Sequence, residues 1–337
     1  VEWIHTDQPI EWPPLDNFNE EVREQLQGLP VPSTIICACS GGADSIFLAD
    51  CLSRWVKEEG HRLIVAHFNH GMRGAESDAD AAFVQSWAEH QGSGVQFALG
   101  RAEGGLVEQE AEMRAARYKW LMEVYEKEGA AALCLGHHAD DLMEWQLMSL
   151  FGGASPQTLA SPMPVKRFAD GSLRLRPLLE WQKCDIVEEL EEWGLGWRED
   201  ATNKAPLTPR NRIRNEIVPQ LIDILGRDPV RGALRTRELM AEHLAALDGV
   251  IDQRGFKDRG PAALDCLYLK GLPRAIMRRA VMRWWMRYHS EHPLGRPVMD
   301  ALLDILTGAG GSGSISVRPN IRLEVECWLI EWMESGA

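Results

Sequence analysis

The chain has 337 residues, 45% hydrophobic and 26% charged, which suits about two globular domains and excludes a disordered tail, a collagenous repeat or a disulfide-dense miniprotein. Lys and Arg number 36 against 50 Asp and Glu, a net charge of −14 that argues against indiscriminate binding to nucleic acid or anionic membrane but leaves a local basic patch open. The 7 cysteines are scattered without a C-x-x-C pair, which argues against zinc ribbons, thioredoxin-type redox and iron–sulfur ligation and fits a reducing cytosol. No apolar run is long enough to span a membrane and no signal-peptide pattern is present, so the expected location is cytoplasmic.

Residues 1–30 read as an N-terminal extension without a sustained period, expected to pack through Trp3 and Trp12. A regular alternation then begins. TIICAC (34–39), RLIVAHF (62–68), VQFAL (95–99) and AALCLG (131–136) read as buried strands, with LRLRPLL (173–179) as a fifth strand or its edge. Helical stretches lie between them at 45–59, 77–91, 107–128 and roughly 140–150. Strand alternating with helix predicts an α/β fold, a parallel Rossmann-like sheet with helices on both faces. Beyond about residue 210 the strand signal fades and 211–250 and 272–289 look helical, with a hairpin expected in ISVRPNIRLEVECWLIEW. The expected domains are therefore 31–220, α/β, and 221–337, smaller and mostly helical.

Three loops gather at the carboxyl ends of these strands, where parallel sheets bind ligands. SGGADS (40–45) follows the first strand, and its glycines can aim N–H groups at a phosphate beside a helix start. No Lys follows as in a Walker A loop, so a metal ion held by Asp44 could neutralise the phosphates; an ordinary strand–helix turn uses the same residues, and both readings stand. HFNHGMRGAESDAD (67–80) crowds His67, Asn69, His70 and Arg73 into a loop suited to nucleotide or substrate more than to zinc. GHHADDLMEWQ (136–146) places Asp140 and Glu144 on one helix face beside Asp141, which suits Mg2+ or an incoming ammonium that must be held and deprotonated. Helix capping by Asp140 explains one of these acids but not all.

Arg114 and Arg117 lie one turn apart in EMRAARYKW (112–120), and Arg210, Arg212 and Arg214 alternate in TPRNRIRNE (208–216); phosphate contact and solvated surface are both open for them. A run of arginines interleaved with Trp284, Trp285 and Tyr288 at 270–290 contains no acid and is expected to dock RNA.

Together these strings resemble one family. SGGADS resembles the loop of N-type ATP pyrophosphatases, the PP-loop superfamily. HFNHGMRGAESDADAAFV, EAEMRAARYKWL, GHHADDLMEWQLMSLFGG, RPLL, WREDATN and RNRIRNEIVPQL resemble, in order, segments of the tRNA(Ile)-lysidine synthetases. The resemblance runs from about residue 33 to 225 and continues weakly through LPRAIMRRAVMRWW. It implies a ligase that uses ATP and Mg2+ to adenylate O2 of the wobble cytidine of tRNA(Ile) with a CAU anticodon and then couples L-lysine at C2, releasing AMP. It implies that Ser40, Gly41, Gly42, Ala43, Asp44, Ser45, His67, Asn69 and His70 bind ATP, with Asp44 and Asp140 holding metal. Asp44, Asp140, Asp141, Glu144 and Arg117 are its catalytic candidates, Arg73, Arg210, Arg212 and Arg214 its tRNA contacts, and Arg212 could also steady the nucleotide or developing charge. The chain departs from the family at Phe151, near which a basic residue is usual. A homodimer is held open, as are a thiolase-like tRNA adenylase, which would want paired cysteines, and a non-catalytic nucleotide-binding paralogue.

Overall fold

The computed structural model describes residues 15–334 apart from 17, 73, 103–109, 169, 200–207, 290–293 and 309–311. A short helix, α1 (Glu20–Gln27), precedes the alternating region and buries Val22 and Leu26 in the main core. Sequence periodicity missed it because one i,i+4 apolar pair on two turns leaves no sustained pattern. Trp3 and Trp12 lie outside the described residues.

The alternation then runs β1 (Thr34–Ala38), α2 (Ala43–Glu59), β2 (Arg62–Asn69), α3 (Ala75–His90), β3 (Val95–Arg101), α4 (Glu110–Lys127), β4 (Ala132–Leu135), α5 (Ala139–Leu150), α6 (Pro156–Leu159), β5 (Val165–Arg167), β6 (Leu173–Leu175) and α7 (Lys183–Glu192). The six strands form one sheet in the order β3-β2-β1-β4-β6-β5, parallel throughout except that β5 runs antiparallel to β6 at the edge. A parallel sheet must be covered on both sides, and alternate residues serve the two faces. Ile35, Cys37, Leu63, Val65, Ala132 and Cys134 face one core, in which α2 buries Ile46, Phe47, Leu48 and Leu52. Ile36, Ile64, Leu133 and Leu135 face the other, covered by Leu121 and its neighbours on α4. Phe47 stacks on Trp193 at 5.1 Å between ring centroids, fixing α2 against the segment after α7.

The chain continues through α8 (Pro209–Arg212), a π-helical turn (Ile213–Ile217), α9 (Val218–Leu225) and α10 (Pro229–Gln253). Two compact units result, one of 1–167 with 171–237, the other of 168–170 with 238–337. Val230 and Ala233 of α10 are buried against Ala139 and Met143 of α5, and Gln146 Nε2 donates to the Ala233 carbonyl at 3.1 Å.

The second unit contains β7 (Lys257–Asp258), β8 (Ala263–Asp265), α11 (Arg274–Tyr288), α12 (Arg296–Thr307), β9 (Gly313–Arg318), β10 (Ile321–Glu326) and β11 (Leu329–Glu334). The expected hairpin is present within a five-stranded sheet, β7-β8-β11-β10-β9. Cys327 and Trp328 turn it with φ of 51° and 70°, the left-handed pair that matches strand twist. The arginines of the 270–290 stripe have acidic partners within their own unit. Arg274, Arg278, Arg279, Arg283 and Arg287 are paired with Asp304, Asp300, Asp248, Asp252 and Asp258, while Trp284 and Trp285 are core. The stripe looked unopposed because its acids come from segments before and after it.

Gly100, near the end of β3, lies under crossed rings. A Cβ there would stand 2.5 Å from Trp120 and 2.6 Å from Phe68. Gly100→Ala is expected to destabilise the first unit by about 1–3 kcal/mol through overpacking, read as a lower urea midpoint with an unchanged m-value.

Candidate active site

Strand order reverses between β1 and β4, with β2 to one side and β6 to the other. Loops leaving such neighbours diverge to opposite faces and open a crevice at their carboxyl ends. Here the loops are 40–45 and 136–138. They approach closely: a Cβ on Gly136 would stand 3.4 Å from the Asp44 carbonyl.

The glycine loop is built to present backbone. Gly41 has φ +91°, and a Cβ there would stand 3.2 Å from Val84 Cγ2, so a larger residue would be strained twice over. The Ser45 hydroxyl accepts from the N–H groups of Ser40 (3.2 Å) and Gly41 (3.1 Å) and donates to the Gly42 carbonyl (2.9 Å). It therefore staples the loop. Gly42 begins α2 with no side-chain cap, which leaves the helix start suited to an anion. His67 Nδ1 donates to the Cys39 carbonyl at 2.9 Å and ties the end of β2 to this loop; burial pushes its imidazole below the usual range, so it is neutral. Arg198 donates its N–H to the Gly41 carbonyl and its Nε to Asp80, both at 2.8 Å.

Four carboxylates converge beside the loop. Asp44 stands in the first turn of α2; Asp140, Asp141 and Glu144 project from the first turns of α5. Buried His138 joins three of them, with Nδ1 3.3 Å from Asp140 and Nε2 3.7 Å from both Asp44 and Asp141. Burial opposes its charge, but Asp141, Asp140 and Asp44 outweigh burial and hold the imidazole above its ordinary value. Asp140 and Asp141 are likewise pressed upward by burial and brought below the usual carboxylate range, Asp140 by His138 and the Lys183 N–H, Asp141 by His138, Arg210 and Arg214. Lys183 Nζ reaches Asp44 at 2.6 Å, and its N–H reaches Asp140 at 2.9 Å. Glu144, only 1% exposed, receives Arg210 Nε at 2.6 Å and Arg214 Nε at 2.5 Å, and the same arginines reach Asp141 at 2.7 and 3.3 Å. His137 is pushed down to about 3 by burial, which the Asp141 charge only partly opposes, so it is neutral beside the acids.

The crevice thus gathers Asp44, Asp140, Asp141, Glu144, Arg210 and Arg214 from the sequence candidates. Arg212 turns away to Glu216 at 3.2 Å and is exposed. Arg117 lies on α4 near Tyr118, with its guanidinium 5.8 Å from that ring. Asn69 shapes its own loop, donating to Asp78 (2.9 Å) and accepting from Gly71 N–H (2.7 Å), and His70 packs edge-on against Phe68. Arg73 lies outside the described residues. It is Asp141, through the His138 N–H at 3.2 Å, that reaches back to cap α5, whereas Asp140 faces Lys183. Sequence reasoning missed Lys183, which arrives from 139 residues away, and Arg198, whose segment was noticed without a role. Among the described residues no group of three or more His, Cys, Asp or Glu is arranged to hold a metal ion by protein ligands alone.

Glu144→Gln would remove the charge that two partly buried arginines face. It is expected to cost about 1–3 kcal/mol by chemical denaturation. In a double-mutant cycle with Arg214→Gln the two losses should be markedly less than additive, because both substitutions break one contact.

Comparisons place this geometry. A family model described as a PP-loop domain matches residues 15–221. A tRNA(Ile)-lysidine synthase of Salinispora arenicola is 33% identical over 318 residues, covering 92% of this chain and 94% of the relative. That of Salinispora tropica is 33% identical over 96% of this chain and 98% of its own length, and that of Thermobifida fusca 34% over 80% and 82%. A solved U34-tRNA thiolase, NcsA from Methanococcus maripaludis with its [4Fe-4S] cluster, shares the fold at TM-score 0.54 and 19% identity, over 68% of this chain and 76% of that one. With the glycine loop at its switch point and relatives matched over nearly its whole length, the chain belongs to the tRNA(Ile)-lysidine synthase family of PP-loop proteins.

Proposed function

We propose that this chain joins L-lysine to C2 of the wobble cytidine of tRNA(Ile) bearing a CAU anticodon, using ATP. The observation that carries the reading is the meeting of an uncapped glycine loop with a neutralised acid cluster in one crevice. Cytidine O2 attacks the α-phosphorus of ATP and pyrophosphate leaves. The lysine ε-nitrogen then attacks C2, loses a proton, and AMP leaves with the oxygen. Adenylation matters because a bare carbonyl oxygen is a poor leaving group.

The residues divide this work. The 40–45 backbone and the start of α2 cradle phosphate oxygens. Asp44 and Asp140 would hold Mg2+ through their carboxylates, and the ion would supply neutralisation of phosphate charge there. Lys183, now on Asp44, is within the same pocket to meet charge on the departing pyrophosphate. Asp141 and Glu144 hold the incoming ammonium and take its proton; Arg210 and Arg214 pair with both, and with His138 they hold Asp141 ionised in spite of burial. The first unit carries the reaction. The second shares in RNA docking on the same proposed footing, though not through its α11 arginines, which are already paired.

A thiolase reading is weaker, since Cys37 and Cys39 are both buried, Cys37 within β1, and burial raises both thiols. Among the described residues no helix is long and apolar enough to cross a membrane, which suits the proposed cytoplasmic work on tRNA.

The deciding assay mixes the protein with ATP, labelled lysine and a CAU-bearing tRNA(Ile) transcript. Label is expected in the RNA with one AMP per lysine. Asp44→Asn and Asp140→Asn should each lower the rate by roughly 100-fold or more. AMP release without label in RNA, or unchanged rates in both variants, would reject the assignment.

A further inference from the structure

β6 breaks the rule its neighbours obey. On the face covered by α4, β4 presents Leu133 and Leu135, as β1 presents Ile36. β6 pairs Arg174 with Leu133, and Arg176 follows two residues on, so its side facing α4 is basic. Lys166 of β5 is the direct cross-strand partner of Arg174. Taken as a pair, like charges directly opposite are unfavourable. Tyr118 lies among guanidiniums: Arg174 at 5.3 Å, Arg114 at 5.1 Å and Arg117 at 5.8 Å from its ring. Arg176 is anchored by a 2.9 Å hydrogen bond to the Met163 carbonyl. Burial and then Arg174 and Arg176 push Lys166 below its ordinary value; burial does the same to Arg117 and Arg176, which Tyr118 opposes and neighbouring arginines reinforce. His137 continues the same face at the tip of β4, with a buried Nδ1 that has no hydrogen-bond partner.

We infer that this cluster, Arg114, Lys166, Arg174 and Arg176 around Tyr118, is a docking site for the sugar–phosphate backbone of the RNA substrate flanking the reacting nucleotide. The inference rests on the RNA substrate proposed above. Edge protection could explain Lys166, since edge strands favour lysine. It does not explain arginines on the inner strand β6. The phosphates of ATP have their own cradle after β1, and β6 is two strands away, roughly 10 Å. A polyanion running past the crevice would meet both places at once. Such a local patch also reconciles a net charge of −14 with an RNA substrate.

The test compares the unaltered protein with Lys166→Gln/Arg174→Gln and with the charge-keeping Lys166→Arg/Arg174→Lys. Affinity for the tRNA(Ile) transcript is measured by fluorescence anisotropy across a KCl series, ATP affinity by calorimetry, and folding by thermal melts. The neutral variant is expected to bind RNA roughly tenfold more weakly at about 0.15 M salt, with a slope of log K against log salt shallower by about 1.4, or about 0.7 per lost charge on single-stranded RNA. ATP affinity should stay within about twofold, and the charge-keeping variant should bind RNA like the unaltered protein. Unchanged RNA affinity and slope in the neutral variant would overturn this inference alone. A fall in ATP affinity in step with RNA affinity would also overturn it, by assigning the cations to the nucleotide. Failure of the unaltered protein to bind the transcript would reject both this inference and the proposed function.

Discussion

The crevice depends on one electrostatic constraint. Four carboxylates, Asp44, Asp140, Asp141 and Glu144, occupy one partly buried corner. Two unit charges about 4 Å apart repel by about 4 kcal/mol at the effective dielectric near a protein surface. The corner is tolerable because cations are interleaved with the acids: Lys183 on Asp44, Arg210 and Arg214 on Asp141 and Glu144, and His138 among three of them. Each of these arrives on a different piece of chain. The loop before α5 brings His138, α7 brings Lys183, and α8 with the π-helical turn brings the two arginines. The sheet supplies the other half of the constraint. β1 and β4 are neighbours, so the loops that follow them have to share one end of the sheet.

What was legible in the sequence follows from range. Strands β1, β2 and β4 could be read because both of their faces are buried and each contains an uninterrupted apolar run, a local property. The acids at 140, 141 and 144 could be read because helical spacing alone puts them together. Lys183 could not, because its partner is 139 positions away and nothing near it marks it as special. Helix α1 escaped for the opposite reason: its signal is local but only one apolar pair long. The arginines of 208–216 were noticed as a group, yet only the fold separates them. The backbone directs Arg210 and Arg214 to the crevice and turns Arg212 outward to Glu216.

The two basic stretches of the chain show why counting charges along a sequence misleads in both directions. The stripe on α11 contains no acid for some twenty residues, yet aspartates from α10, β7 and α12 neutralise it helix by helix. LRLRPLL, in contrast, looks like an ordinary alternating edge strand. Its arginines stand over α4 beside Lys166, and the charges that act most on Lys166 are those same arginines. An alternation usually separates a core face from a solvent face. Here Leu173 and Leu175 are buried on one face while Arg174 and Arg176 on the other stay half-exposed beside the aromatic ring of Tyr118.

Full pairing also determines what the acid corner can do. A buried carboxylate left alone would take up a proton near neutral pH and lose its value as a base or an ammonium holder. Asp141 keeps its charge because its cationic neighbours more than offset burial. Those neighbours are donors already oriented by the fold, so no solvent has to reorganise when charge moves within the corner. Their number also limits selectivity. Arg210 and Arg214 already fill both oxygens of Glu144, so an entering group must bring charge-assisted donors of its own to share them. A neutral amine or hydroxyl brings no such charge and competes poorly with two guanidiniums. An ammonium can compete, so on the proposed reading the fork of arginines on Glu144 favours a nucleophile that arrives charged.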